Sequence, residues 1–402
     1  MTTYSIRQLH LTTRREVMNE FGAAPHALSD ELVARLQNFP YIFKISVATG
    51  EWPAALRAGL MQSGLVVHFA TANRAYLFAE AGSIENWLRH QTFDTDEEKS
   101  FAAALDNFLQ RRRRENFTIA AAHSQEITLA GRTLMMGVLN CTPDSFFDGG
   151  RHFSYDAAIA HGVRLAEQGA DIIDVGGEST RPRGVYGEGA APITAEEEKQ
   201  RVLPVIAALA KQIQIPLSID TYKAPVAEAA VAAGASIVND ISGFQFDAAM
   251  PATVARLGAA VVIMHTQGTP ANMQANPVYE NLLEELYFYF ERQIELARRA
   301  GIAEKQIIID PGLGFGKRIE DNYEIIRRLR ELRGLGCPLL VGPSRKAFVG
   351  KPLNLPPEER LEGTAAAVTA AIMNGAHLIR VHDVKEMRRV AALADLLAGQ
   401  ET

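Results

Sequence analysis

Two cysteines in 402 residues, Cys141 and Cys337, are too few for a disulfide scaffold. The economical reading is two free thiols in a reducing cytosol. No apolar run reaches about 18 residues, the length that suggests a membrane span. Residues 1–13 mix charges with short apolar stretches and lack the apolar core of a secretory signal. Nor is there a basic excess: 41 Lys and Arg stand against 47 Asp and Glu, a net charge of −6. A generic nucleic-acid surface would demand the opposite balance, whereas a small anionic substrate needs only a few placed cations. The chain therefore reads as cytoplasmic, with neither membrane nor nucleic acid as partner. What is present is core material, 47% hydrophobic against 22% charged residues. At this length one large domain plus a smaller one is expected.

Residues 1–115 read as the smaller α/β domain, of unknown role. Helical patterns fall at 14–21, 29–36 and 54–61, and short strands at 41–47 and 65–69. A further helix over 95–109 begins with Thr95 and Glu98 spaced as a capping box. It runs into Arg111, Arg112, Arg113 and Arg114. Such a run can bind anions or RNA, but cations at a helix C-terminus also simply complement the dipole. Residues 117–129 read as a hairpin, and residues 116–402 as the larger domain.

From residue 134 the pattern becomes regular. Apolar strands are expected at 134–139, 172–175, 217–219, 236–238, 261–264, 307–309, 339–341 and 377–381. Helices are expected at 155–168, 195–211, 224–233, 247–256, 282–300, 321–332, 363–373 and 384–397. Eight strands alternating with eight helices imply a parallel sheet with right-handed crossovers. The spacing predicts an α/β fold in which a (β/α)₈ TIM barrel follows the smaller domain. Asn140, Asp174, Asp220, Asn239, His265, Asp310, Ser344 and Arg380 then fall at or just past strand C-termini, the rim where this fold builds active sites.

Several strings around that rim carry chemistry. After the first strand comes Asn140-Cys141-Thr142-Pro143-Asp144-Ser145-Phe146-Phe147-Asp148-Gly149-Gly150, a loop rich in hard oxygen donors. Gly176-Gly177-Glu178-Ser179-Thr180-Arg181-Pro182 follows the second, Ser218-Ile219-Asp220-Thr221 ends the third, and Val238-Asn239-Asp240-Ile241-Ser242-Gly243 ends the fourth. Asp310-Pro311-Gly312-Leu313-Gly314-Phe315-Gly316-Lys317 ends the sixth, with Ser344-Arg345-Lys346 and Arg380-Val381-His382-Asp383 after the seventh and eighth. Read singly, Asp220 and Asp310 also suit helix N-caps. Met264 alone would be a core methionine, and Arg181 a surface arginine.

Together and in this order, from about Phe117 onward, the strings resemble dihydropteroate synthase. The resemblance implies a transferase of folate biosynthesis that joins 6-hydroxymethyl-7,8-dihydropterin diphosphate to 4-aminobenzoate, releasing pyrophosphate. It implies a pterin pocket of Asp220, Asn239, Ile241, Met264, Asp310, Phe315, Lys346 and Arg380. Phe146, Thr180, Arg181, Pro182, Phe315, Ser344 and Lys346 match the aminobenzoate site. Asn140 matches a Mg²⁺ ligand that also serves the diphosphate, with Arg380 and His382 facing the phosphates. Asp220, Asp310, Lys346, Arg380, His382, Asp148 and Arg181 are the catalytic candidates. The implied chemistry is dissociative: pyrophosphate leaves first, carboxylates stabilise a pterin cation, and a neutral arylamine attacks without a strong general base. A homodimer and competition from sulfonamides are further implications.

Three features depart from the family pattern. The second loop continues as Arg183-Gly184-Val185-Tyr186-Gly187-Glu188-Gly189-Ala190, longer and richer in glycine than usual. Gln267 stands where a basic residue is common, and Cys141 where a small aliphatic residue is common. The rival readings are a pterin-dependent methyltransferase, which would not need the 140–150 loop or Arg380 and His382, and a non-catalytic pterin-binding paralogue.

Overall fold

The computed structural model describes residues 4–11, 16, 20, 41–47, 50–80, 82–142, 155–179 and 192–399. The chain divides into two compact units, one of residues 1–114 with 330–336 and one of residues 115–329 with 337–402.

In the first unit, β1 (Tyr4–Leu9), β2 (Tyr41–Val47), β3 (Val66–Thr71) and β4 (Arg74–Ala79) form an antiparallel sheet in the order β1-β2-β4-β3. Helices α1 (Ala54–Gln62), α2 (Ser83–His90) and α3 (Asp96–Arg113) belong to the same unit. Phe43, Ile45, Leu77, Phe101 and Leu105 share one core. The α3 start is the expected capping box, with Glu98 N–H donating to Thr95 Oγ1 at 3.2 Å and Thr95 N–H donating to Glu98 Oε2 at 3.0 Å. β1, β4 and α2 were not expected. The helices expected at 14–21 and 29–36 lie outside the described residues, apart from Glu16 and Glu20.

In the second unit, eight parallel strands run β7 (Leu134–Asn140), β8 (Ile172–Gly176), β9 (Leu217–Asp220), β10 (Ile237–Asp240), β11 (Ala260–Met264), β12 (Ile307–Asp310), β13 (Leu340–Val341) and β14 (Leu378–Val381). Their order is that of a ring, each beside its chain neighbour, with β14 pairing back to β7. The ring closes where Ile309 bridges Leu339 in parallel and Ile309 N–H donates to Pro338 O at 3.0 Å. This is the expected (β/α)₈ barrel. The helices between strands are α4 (Tyr155–Glu167), α5 (Ala195–Gln212), α6 (Ala224–Ala233), α7 (Met250–Leu257), α8 (Leu282–Arg299), α9 (Ile319–Arg327), α10 (Ala347–Gly350) with α11 (Leu361–Met373), and α12 (Val384–Leu397).

The hairpin of β5 (Phe117–Ala120) and β6 (Glu126–Leu129) plugs the barrel floor. Phe117, Ile119, Ile127 and Leu129 share a cluster with Leu134, Ile172, Ile237, Leu340 and Leu378, the residues that open their strands. Burial on both sides explains why these strands read as unbroken apolar runs. It also leaves the opposite end of the barrel for chemistry.

Two helix boundaries in this unit differ from expectation by three residues or more. The helix expected at 321–332 ends at Arg327, and a 3₁₀ segment, Leu329–Leu335, follows. Arg328, 1% exposed, turns back to pair with Glu324 at 2.7 Å. The helix expected from 247 starts at Met250 because Asp247 has other work. Its carboxylate accepts from Ala224 N–H, at the start of α6, and from Ala249 N–H, at 2.8 and 2.9 Å.

Candidate active site

Asp220 ends β9, Asn239 lies in β10, Asp310 ends β12 and Arg380 lies in β14. Strand alternation turns their side chains inward, and the ring brings them to one place. Asp174 was expected at the rim but sits mid-strand in β8, fully buried, one layer lower. Its Oδ2 accepts from Arg380 Nε at 2.6 Å and from Asn239 Nδ2 at 2.9 Å. Arg380 Nη2 donates to Asp220 Oδ2 at 2.7 Å. One guanidinium thus joins two carboxylates, with two of its five N–H groups engaged.

The N-cap alternative does not describe Asp220, since α6 is preceded by Lys223 without a side-chain cap. For Asp310 a turn role is real: its Oδ1 accepts from Gly312 N–H at 2.7 Å. Gly312 has φ +70°, and a Cβ there would lie 2.0 Å from His265 O, so only glycine passes. Ile241 and Met264 are buried beside these strand ends.

Burial pushes the Asp220 carboxyl upward, opposed by Arg380 and assisted by the Asp174 carboxylate. Asp310 is raised by burial too, against Lys346 and a backbone hydrogen bond from Gly312. Burial raises the cost of a bare charge, so these carboxylates hold their charge only against cations. Arg380 is raised despite burial, by Asp174 and Asp220.

Lys346 Nζ lies 4.8 Å from the Phe315 ring centroid and donates to Leu313 O. Burial lowers its pKa to about 8, with Asp310 opposing that shift. Ser344 Oγ and His382 Nδ1 lie 3.0 Å apart, and His382 N–H donates to the same hydroxyl at 3.2 Å. Arg345, between the two candidates, has φ +56° and pairs with Asp383. Asn140 ends β7 with its Oδ1 3.9 Å from where a Cβ on Gly176 would stand; Asp220 Oδ2 is 3.7 Å from that point. The missing side chain leaves a cradle between two oxygen donors.

Phe146, Asp148, Thr180, Arg181 and Pro182 lie outside the described residues. His265 is at the rim in sequence but serves packing: its ring is edge-on to Tyr289, and its Nδ1 lies 3.0 Å from Lys317 Nζ. Lys317 is buried, and that burial lowers its pKa to about 7. It also donates to Phe315 O at 3.0 Å, holding the loop that carries Phe315. Gln267 pins its own loop through both ends of its amide, to Val278 O at 3.0 Å and from Val278 N–H at 3.1 Å. Burial pushes the Cys141 thiol up to about 12, so it is a packing residue.

The residues that sequence reasoning passed over are Asp174, read only as a polar rim residue, and a cluster at the root of the second loop. There Lys223 Nζ pairs with Glu178 and, at 2.5 Å, with Glu198, while Tyr222 OH donates to Glu178 Oε1 at 2.8 Å. Their only signal was the string Asp220-Thr221-Tyr222-Lys223 beside Gly-Gly-Glu.

A carboxylate, amide and lysine converging on a barrel rim, with a guanidinium beneath, define a pterin-binding TIM barrel. The family model described as "Pterin binding enzyme" matches residues 136–382. The chain belongs to the dihydropteroate synthase family. It is 47% identical over 267 residues to the dihydropteroate synthase of Synechocystis sp., covering 66% of this chain and 90% of that one. The Yersinia pestis dihydropteroate synthase, solved with a sulfonamide drug complex, aligns with TM-score 0.64 and 43% identity over 69% of this chain and 98% of the other. The Xanthomonas albilineans enzyme with 4-aminobenzoic acid aligns with TM-score 0.64 and 41% identity, over 70% and 98%.

Proposed function

We propose that this chain condenses 6-hydroxymethyl-7,8-dihydropterin diphosphate with 4-aminobenzoate, giving 7,8-dihydropteroate and pyrophosphate. The observation that carries this reading is the set Asp220, Asn239, Asp310, Lys346 and Arg380 in one family-matched barrel mouth, Asp220 and Asn239 being joined through Arg380 and Asp174. Asp220, Asn239 and Asp310 suit the amide edge and exocyclic amine of a pterin, which offer paired N–H donors. Ile241, Met264 and Phe315 supply its apolar walls. Arg380 stacks on the pterin face, and its three uncommitted N–H groups, with His382, meet the diphosphate. Phe146, Thr180, Arg181, Pro182, Ser344 and Lys346 hold aminobenzoate.

As the C–O bond to pyrophosphate breaks, positive charge grows on the pterin methylene. Asp220 and Asp310, with Asp148, stabilise that charge, and Arg380 and His382 stabilise the leaving anion. Charges fixed before reaction are usually the largest catalytic contribution. The neutral arylamine then attacks, losing its proton to solvent. The Asn140 amide oxygen beside the Gly176 cradle is a hard donor, and Mg²⁺ takes few protein oxygens when phosphates complete its shell. When bound, Mg²⁺ supplies neutralisation of the diphosphate charge.

The same reading includes a reducing cytosol and a homodimer. Leu393, Leu396 and Leu397 stand 60%, 56% and 64% exposed on one face of α12, supporting a covered helix face. The test is pyrophosphate release by the full chain with Mg²⁺ and both substrates. Release that depends on aminobenzoate, with dihydropteroate formed, is expected. Pterin binding without product would favour a non-catalytic paralogue.

A further inference from the structure

We infer that Asp174 is a positioning residue of the pterin site, one that sets the planes of Arg380 and Asn239 together. The inference rests on the synthase reading for its substrate but not for its geometry. Asp174 is fully buried in β8, so it acts through its neighbours. A single oxygen, Oδ2, receives Arg380 Nε at 2.6 Å and Asn239 Nδ2 at 2.9 Å. Those donors come from β14 and β10, either side of β8 in the ring. Arg380 is then oriented so that its Nη2 reaches Asp220 at 2.7 Å. Three candidate pterin residues from three strands therefore depend on one buried carboxylate. Without it, Arg380 would keep one carboxylate partner and could rotate, and the Asn239 amide would lose the acceptor that fixes which end faces the substrate.

The second oxygen makes the inference testable. Asp174 Oδ1 is buried without a hydrogen-bond partner, and so is Ser218 Oγ. The two residues are in register on adjacent parallel strands, so both side chains point to the same face. An asparagine at 174 can keep its oxygen toward Arg380 and Asn239 while its NH₂ takes the place of Oδ1, an atom with no hydrogen bond to lose. Asp174→Asn thus preserves position and removes charge, whereas Asp174→Ala removes both.

The experiment measures pterin diphosphate affinity by calorimetry, and kcat and KM for each substrate, on the full chain. Asp174→Ala is expected to lower kcat/KM for the pterin by about 100-fold, the scale of a misplaced contact set. KM for aminobenzoate should stay unchanged, and Asp174→Asn should recover most of the loss. A merely structural role would lower the melting temperature of both variants and leave pterin affinity intact, which overturns the inference. Equal loss in Asn and Ala variants also overturns it, since charge rather than position would then matter. If the Ala variant does not fold, Asp174→Ser decides. Its shorter hydroxyl cannot hold both donors, so pterin binding should weaken relative to Asp174→Asn, and equal affinity would refute the inference. Wild-type turnover in the same assay tests the synthase reading separately, because pterin affinities can be compared even without product.

Discussion

Lys346 shows most clearly how burial sets chemistry at a single residue. Its ammonium is held by Leu313 O and the Phe315 face while burial lowers its pKa to about 8. The cation is present below that value and lost as pH rises through it. Binding of anionic substrates should weaken there, giving kcat/KM an alkaline limb near pH 8. Arginine does not titrate in this range, so Lys346→Arg should abolish the limb, whatever it does to the rate. Stability should move the other way. Between about 8 and the ordinary value of 10.5 the unfolded chain holds the extra proton, so this residue makes folding more favourable as pH rises. A pH–rate profile and a pH series of urea melts separate the two trends; a limb that persists in the arginine variant would clear Lys346. Asp220→Asn is expected to weaken pterin binding and to leave Asp174 as the one carboxylate hydrogen-bonded to Arg380. Isothermal titration with the pterin diphosphate reads that loss directly, and unchanged affinity would remove Asp220 from the pocket.

Among the elements, the floor hairpin stabilises the ring without touching substrate. Ile119 is 1% exposed within the floor cluster, and Ile119→Ala should cost about 2–5 kcal/mol. Equilibrium unfolding in urea measures it, with kcat little changed below the transition; a loss of activity without destabilisation would mean the hairpin reaches the site. The barrel strands were legible because both faces are buried, which writes them as apolar runs ended by a polar residue. Asp174 was legible as polar but not as a hub, because its partner Arg380 is 206 positions away and only the closed ring joins them. β1 escaped for a different reason. β1 carries Arg7, a charge that ordinarily marks a surface, yet here it is buried and paired with Glu20 at 2.7 Å. Within the arginine run that closes α3, Arg112 lies over the Tyr41 and Phe43 rings at 5.2 and 5.8 Å, and Arg113 pairs with Glu85.

At the scale of the whole molecule, every described candidate for chemistry comes from the second unit, while residues 330–336 group with the first. Glu331, 1% exposed, accepts from His10 N–H at 2.7 Å and lies 3.6 Å from Arg7 Nη1. Lys44 and Arg7 share Glu20 at 2.7 Å each, so the four charges form one buried set. Removing one member of such a set leaves a desolvated charge uncompensated, at about 3–5 kcal/mol. A chain beginning at Glu115 would strip Glu331 of both Arg7 and His10. Such a chain should melt earlier than the full chain while keeping aminobenzoate-dependent pyrophosphate release at permissive temperature. Glu331→Gln in the truncated chain should recover part of the lost stability, because a neutral amide costs less to leave without its cation. Scanning calorimetry of the three proteins, with turnover measured on the same samples, checks both expectations. If truncation abolished turnover while the barrel stayed folded, the first unit would contribute to catalysis itself, and assignment of the chemistry to the second unit alone would fail.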